Sequence, residues 1–255
     1  LRVLDGAIVV FCGVGGVEPQ SETVWRQAER YHLPRVLFVN KMDRLGANFE
    51  AVLDDVRERF GGVPAVVNFP VGESDTFDGV IDVVRGVRLR WSTENRGRII
   101  LEEPIPDSER ERYEQYRLQL IEALASHDDE VLAAFLGSAE IPPEMLRVAV
   151  RRLCLELKLF PVLAGASLRD QGIQPLLDAV VDYLPAPDEV PPPVAVRPGS
   201  GEAVFRPPDP AVPFLGLVFK THTDRERGKD SYVRIYSGTL REGMSLVSPR
   251  VKGFE

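Results

Sequence analysis

Short apolar runs alternate with longer amphipathic stretches through the first sixty residues of the chain. Residues 7–11 and 36–39 are continuous apolar runs, which is typical of strands buried on both faces of a parallel sheet. Between these runs, Val24, Ala28 and Tyr31 recur at helical spacing. The pattern therefore predicts a β-α-β unit.

A second amphipathic helix is predicted directly after this unit. Gly61-Gly62 supplies its stop signal. Its apolar positions follow the i, i+3, i+4, i+7, i+11 spacing of one helix face, and they are Phe49, Val52, Leu53, Val56 and Phe60. Such a stripe indicates a helix that packs against the core.

The pattern changes over residues 64–155 to short strands followed by helices. Residues 80–84 and 87–91 alternate around Arg85-Gly86, which predicts a tight hairpin, and residues 98–101 are a candidate for another strand. Apolar spacing then predicts helices over residues 113–124 and 142–157.

The chain then returns to the sheet pattern at residues 161–164. Leu176, Leu177, Val180 and Leu184 predict a closing helix that Pro185 ends. Residues 185–213 are rich in proline and predict a semi-rigid linker. Residues 214–220 and 232–236 follow as strands of an antiparallel unit, with a turn at residues 237–238.

The second apolar run delivers Asn40-Lys41-Met42-Asp43 from its carboxyl end, where ligands of open α/β sheets bind. A carboxylate such as Asp43 can accept both the ring N–H and the exocyclic amine of guanine. The Asn40 amide can donate to a purine acceptor or brace neighbouring loops, and the aliphatic stem of Lys41 can lie across the base. The alternative is a polar loop without function.

Five segments of the chain resemble bacterial elongation factor G. They read DGAIVVF (5–11), GVEPQSET (16–23), NKMDR (40–44), FPVL (160–163) and GIQPLLDAVVDYLP (172–185). The resemblance implies a second guanine-contacting loop at Gly165-Ala166-Ser167-Leu168, where a backbone N–H faces the guanine carbonyl oxygen; this role falls on Ala166 and Ser167. The family order there is Gly-Ser-Ala, and Cys12-Gly13 also departs from the family pattern.

The same resemblance implies an α/β fold class: part of a P-loop GTPase-type parallel sheet with an α+β insertion, then the start of an antiparallel β-barrel domain. Residues 1–63 and 156–186 are expected to form the carboxyl-terminal part of the GTPase domain, with residues 64–155 as the insertion. Residues 187–213 are the expected linker, and residues 214–255 the opening of the barrel.

The sequence contains no G-x-x-x-x-G-K-S/T phosphate loop. By resemblance, the intact parent is a GTPase that binds GTP or GDP with Mg²⁺ and drives translocation on the ribosome, contacting ribosomal RNA and proteins. The chain is therefore expected to be an internal fragment that keeps the base-reading loops, binds nucleotide weakly and hydrolyses none. No catalytic residue is nominated, and the scattered histidines predict no metal site.

Composition agrees with a cytoplasmic protein of about two domains, since the chain has 255 residues and is 44% hydrophobic. Two separated cysteines predict free thiols. The sequence shows no charged-then-apolar leader pattern and no run of about 18 apolar residues, so neither secretion nor membrane insertion is expected. A net charge of −8 argues against DNA binding through a broad basic face. The basic cluster Arg225, Arg227 and Lys229 is flanked by acids and predicts a solvated loop. The acidic residues 128–130 predict either a helix start or a surface for a basic ribosomal protein.

Two other functions fit the same motifs. One is a related ribosomal protection or release factor GTPase. The other is a non-catalytic ribosome-binding module that keeps the base loop without turnover.

Overall fold

The computed structural model describes residues 1–92, 99–137, 140–197, 200–224 and 228–247. The chain divides into two compact units, Leu1–Pro185 and Ala186–Glu255. The strands of the first unit are β1 (Ala7–Cys12), β2 (Arg35–Asn40), β3 (Pro64–Val66), β4 (Asn68–Pro70), β5 (Val80–Asp82), β6 (Val87–Trp91), β7 (Ile100–Glu103) and β8 (Phe160–Ala164). Its helices are α1 (Pro19–Arg30), α2 (Phe49–Phe60), α3 (Asp107–Ala125), α4 (Asp129–Leu136), α5 (Pro143–Leu155) and α6 (Ile173–Tyr183).

A four-stranded parallel sheet in the order β1-β2-β8-β3 forms the centre of the first unit. This confirms the predicted α/β class. Strand β2 is buried along its length up to Asn40, as predicted. Strand β1 departs from the prediction, because Ile8 and Val10 are 39% and 53% exposed. It is one of the two edge strands of this sheet, so one of its faces is less covered than the apolar run suggested.

Helix α1 packs through a face that shares only Ala28 with the predicted stripe. Its buried residues are Trp25 and Ala28, whereas Val24 and Tyr31 are largely exposed. The Trp25 ring stacks on Phe60 with centroids 4.1 Å apart. Two stripes fit the helical period in this segment, and the one with the larger aromatic surface is buried.

Helix α2 begins and ends where the sequence predicts. The Asn48 side chain caps it by accepting the Ala51 N–H at 2.9 Å. Gly61 ends it in the left-handed conformation, with φ +61°. The predicted apolar stripe is buried from Phe49 to Val56.

The segment predicted as the insertion contains an antiparallel sheet, β4-β5-β6-β7, and helices α3 to α5. Strand β3, at the start of the segment predicted as the insertion, pairs in parallel with β8 of the central sheet. Helix α4 begins in the acidic segment, where Asp128 accepts the N–H groups of Glu130 and Val131. The capping interpretation of these acids is thereby confirmed. Strand β7 starts at Ile100, and the predicted start at Arg98 lies outside the described residues.

Helix α6 returns the chain along the parallel sheet. Leu176 and Leu184 are buried as predicted, but Leu177 is 58% exposed. Ala179 and Tyr183 complete its buried side. The two thiols are free, with Cys154 buried and Cys12 partly exposed.

The second unit contains two antiparallel hairpins in its described part. The first, β9 (Ala195–Val196) with β10 (Ala203–Val204), lies inside the predicted linker. The second, β11 (Leu215–Asp224) with β12 (Gly228–Ser237), extends the two predicted strands to ten residues each. The predicted turn at Ser237-Gly238 follows β12, and the Gly238 N–H donates to the Asp209 carbonyl. Arg225 and Arg227 lie outside the described residues.

No helix within the described ranges has both the length and the apolar character needed to cross a membrane.

Candidate guanine-base site

Two loops meet at the carboxyl edge of the parallel sheet. Asn40 ends β2, and Gly165 follows β8 directly. These strands are neighbours, with Val39 opposite Ala164. Loops that leave adjacent parallel strands in the same direction must lie side by side, which places the two predicted base loops in contact.

The Asn40 side chain joins the two loops. Its Nδ2 donates to Ser167 Oγ at 2.9 Å, and its Oδ1 accepts the Ser167 N–H at 3.0 Å. The same Oδ1 accepts the Lys41 N–H at 2.8 Å. The sequence allowed Asn40 either to donate to a purine or to brace the neighbouring loops, and in this structure its side chain braces the loops.

Backbone hydrogen bonds hold the first loop from both sides. Met42 N–H donates to the Gly165 carbonyl at 3.1 Å, and Gly13 N–H donates to the Asn40 carbonyl at 2.7 Å. A Cβ at Gly13 would lie 2.9 Å from Met42 Sδ and 3.1 Å from Asn40 O. Glycine at this position therefore permits the close approach of the β1 loop.

Asp43 lies almost fully covered within the first loop. Its side chain is 7% exposed, and its Oδ2 forms an ion pair with Arg169 Nε at 3.0 Å. Arg169 follows the second loop directly, so the pair is another tie between the loops. The sequence interpretation did not include Arg169. Its position next to residues 165–168 was the available signal.

Each of the two loops has one residue with a long, exposed side chain, Lys41 in the first loop and Leu168 in the second. Lys41 has a left-handed backbone, with φ +66°, and its side chain is exposed. A non-glycine residue with positive φ in a binding loop is a strained position of the kind found at functional sites. Leu168 is 80% exposed. Both residues offer aliphatic surface that a planar base could contact.

The N–H groups of Ala166 and Ser167 have protein acceptors in this structure. Ala166 donates to the Gln171 carbonyl at 2.8 Å, and Ser167 donates to Asn40. The predicted contact with a guanine carbonyl oxygen requires either group to share its hydrogen or change partner. Residue 166 has a second reason to be small, because the Ala166 side chain is fully buried within the protein.

The insertion also supports the first loop, through a residue that the sequence interpretation did not include. Ser74 N–H donates to the Met42 carbonyl at 2.9 Å, and Ser74 Oγ donates to the Arg44 carbonyl at 3.0 Å. Ser74 itself has a positive φ of 58°. Nothing local in the sequence marks Ser74, since its partners lie about thirty residues away.

A cleft of about 220 Å³ opens beside the first loop. Asn40 and Lys41 line it together with Cys12, Gly16 and Glu18. Across the described ranges, no group of three or more His, Cys, Asp or Glu side chains could hold a metal ion. The described residues therefore offer no cluster of ligands for Mg²⁺, and Asp43 and the second loop lie outside the lining of this cleft.

A parallel α/β sheet with two linked loops at its carboxyl edge defines a nucleotide-binding domain of the P-loop GTPase type. Residues 1–186 match the family model of the elongation factor Tu GTP binding domain, and residues 213–254 match that of elongation factor G domain 2. The chain belongs to this family of translational GTPases and is elongation factor G-like.

A solved structure extends this likeness. The chain is 31% identical to a protein from Thermus thermophilus known from its crystal structure, with a TM-score of 0.76. The match covers 96% of this chain and 33% of the Thermus thermophilus protein. The chain thus spans about a third of the length of that protein.

Proposed function

We propose that this chain is the guanine-recognition part of a ribosome-dependent translational GTPase. In this proposal the parent resembles elongation factor G, works in the cytoplasm, binds GTP and drives movement of tRNA and mRNA through the ribosome. The observation that carries the proposal is the junction of Asn40 with Ser167, which sets Asp43 and Leu168 at one edge of the sheet.

Each residue of the site has a separate task in this proposal. Asp43 accepts the ring N–H and the exocyclic amine of guanine, which adenine lacks as a pair. Lys41 and Leu168 contact the base with their aliphatic surfaces. Asn40 holds the two loops together, and its second Nδ2 hydrogen can donate to a purine ring nitrogen. Ala166 and Ser167 allow the loop to approach the base closely.

GTP hydrolysis is proposed for the parent only. The sequence of this chain has no phosphate loop, whose backbone amides and lysine bind the phosphates in such enzymes. The Mg²⁺ ion is likewise placed in the intact parent. We therefore expect this chain to select guanine while binding the nucleotide weakly, and to release no phosphate from GTP.

The match to elongation factor G domain 2 favours the translocation factor over the related ribosomal protection and release factors. A non-catalytic ribosome-binding module is the other candidate. Phosphate release by the intact parent, measured with and without ribosomes, separates the two, because a module without turnover would release none under either condition.

Calorimetric titration of the chain with GDP and with ADP tests the proposed base site. We expect weak GDP binding, no ADP binding, and loss of GDP binding in Asp43→Asn. That variant should instead bind xanthosine diphosphate, because an amide can donate to the added carbonyl oxygen. Asp75→Asn, which neutralises an exposed carboxylate, is the matched control and should bind GDP as the unaltered chain does. Equal binding of GDP and ADP would contradict the proposal.

A further inference from the structure

The backbone of the second loop fixes the position of Arg169. Ser167–Arg169 form one turn of 3₁₀ helix, in which the Arg169 N–H donates to the Ala166 carbonyl at 3.0 Å. Asp170 ends the turn in the left-handed conformation, with φ +57°. The N–H of Gln171 then returns to the Ala166 carbonyl at 3.3 Å. This closed turn aims Arg169 at the first loop.

Arg169 contacts the one carboxylate that the proposed function requires. Its Nε lies 3.0 Å from Asp43 Oδ2, and no other ion pair of Asp43 occurs in the described part of the chain. The arginine is 52% exposed and the carboxylate only 7%. The contact therefore joins a solvent-facing cation to a covered anion.

The negative charge of a covered carboxylate loses its remaining hydration when a base binds over it, and this loss must be compensated by other groups. The two guanine donors are neutral, so they replace hydrogen bonds from water without supplying charge. A guanidinium beside the carboxylate offsets that loss, because a covered anion is stabilised by a paired opposite charge that neither water nor guanine supplies. Two carboxylate oxygens offer about four acceptor positions. Arg169 uses one of them, which leaves room for both guanine donors.

We propose that Arg169 is a positioning residue for guanine selection, which holds the Asp43 carboxylate in place and compensates its charge when the base covers it. This inference rests on the proposed function, and it adds a residue outside the two base loops. Arg169 acts through Asp43 and touches no reacting atom. Its effect on binding must therefore depend on the Asp43 charge.

A double-mutant cycle on the full 255-residue chain tests this dependence. Arg169→Ala should weaken GDP binding by about tenfold, the range expected for one charge-assisted hydrogen bond. Arg169→Lys should recover part of that loss, because it restores the charge without the planar fork. In the Asp43→Asn background, Arg169→Ala should change xanthosine diphosphate binding by less than about twofold, because no carboxylate remains to compensate.

Arg30→Ala is the matched control, since it removes an exposed arginine from the last turn of α1, outside both base loops. It should leave GDP affinity within about twofold of the unaltered chain. Circular dichroism and thermal unfolding of every variant show that each chain is folded.

The outcomes separate this inference from the proposed function. An unaltered chain that binds GDP and ADP equally would overturn both. If the unaltered chain selects GDP but Arg169→Ala binds GDP equally well or more tightly, the inference alone is overturned. Arg169 would then either contribute nothing to binding or compete with the base for Asp43. Equal losses from Arg169→Ala with and without the Asp43→Asn substitution would also overturn it, since Arg169 would then only shape the loop.

Discussion

Asn40 and Ser167 are 127 positions apart in the chain and share two hydrogen bonds, one through each end of the asparagine amide. The contact exists because β2 and β8 are adjacent strands of the parallel sheet. These two hydrogen bonds hold the two loops together at the carboxyl edge of the sheet. The hydroxyl of Ser167 therefore has a structural task where the family order places alanine.

Replacing Ser167 by alanine should loosen this edge. The variant loses the acceptor of Asn40 Nδ2 and keeps the backbone N–H bond to Asn40 Oδ1. We expect a loss of about 0.5–1.5 kcal/mol in the free energy of unfolding, measured by urea denaturation. Ser126→Ala, which removes a hydroxyl bonded to the last turn of its own helix, is the comparison variant. A smaller loss at Ser167 than at Ser126 would argue against the bracing role.

Gly172 should resist substitution because it has two separate constraints. Its φ is +88°, and an added Cβ would lie 2.7 Å from the Ala164 carbonyl and 2.8 Å from Gly165 Cα. Gly61 has a similar φ of +61° with nothing within 4 Å. Alanine at Gly61 should cost about 1–2 kcal/mol from backbone strain alone.

Gly172→Ala should therefore lower the free energy of unfolding by more than Gly61→Ala does, and it should also displace the second loop. Urea denaturation of the two variants gives the comparison. Equal losses would mean that the close contact behind the loop relaxes without cost.

Tyr116 should contribute to the attachment of the insertion to α2. Its hydroxyl donates to Glu50 Oε2, while Arg112 Nη2 donates to Glu50 Oε1 at 2.7 Å. Tyr116→Phe removes one of the two donors and should lower the free energy of unfolding by about 1 kcal/mol. Tyr31→Phe, at an exposed position, should leave it unchanged in the same urea denaturation experiment. Equal effects of the two substitutions would contradict the attachment.

Asp82 gives the stability of the first unit a predictable pH dependence. Burial raises the pKa of this carboxyl above its ordinary value, although the Arg85 N–H donates to Oδ1 at 2.8 Å. Between the ordinary and the raised pKa, the folded chain binds more protons than the unfolded chain. The contribution of Asp82 to stability therefore falls as pH rises through that window.

Asp82→Asn removes this dependence while keeping an acceptor for Arg85. Relative to the unaltered chain, the variant should gain stability from acid to neutral pH in urea denaturation. Asp75→Asn, at an exposed position, should show no such trend. If Asp82→Asn instead lost stability relative to the unaltered chain between acid and neutral pH, the predicted effect of Asp82 would be contradicted.

The sequence was sufficient for the parts of the fold that local patterns determine. Strand β2 follows from one apolar run, and helix α2 follows from one apolar stripe that ends at Gly61-Gly62. The first base loop follows from its place after a buried strand. These features depend on periodicity and on the chemistry of a few adjacent side chains.

Features set by distant contacts could not be obtained in this way. The buried side of α1 depends on the stacking of Trp25 against Phe60, a partner outside the helix. The exposure of Val10 depends on the edge position of β1. Ser74 and Arg169 support the base loop only because tertiary folding brings them to it.

The most direct test of the base site is a comparison of backbone amide shifts, by nuclear magnetic resonance on the isotopically labelled chain, during titration with GDP and with ADP. We predict that GDP shifts the amide signals of Lys41, Asp43, Ser167 and Leu168, while ADP at the same concentrations leaves them in place. Shifts of these signals by both nucleotides, or GDP-induced shifts confined to other parts of the chain, would contradict guanine recognition by the two joined loops.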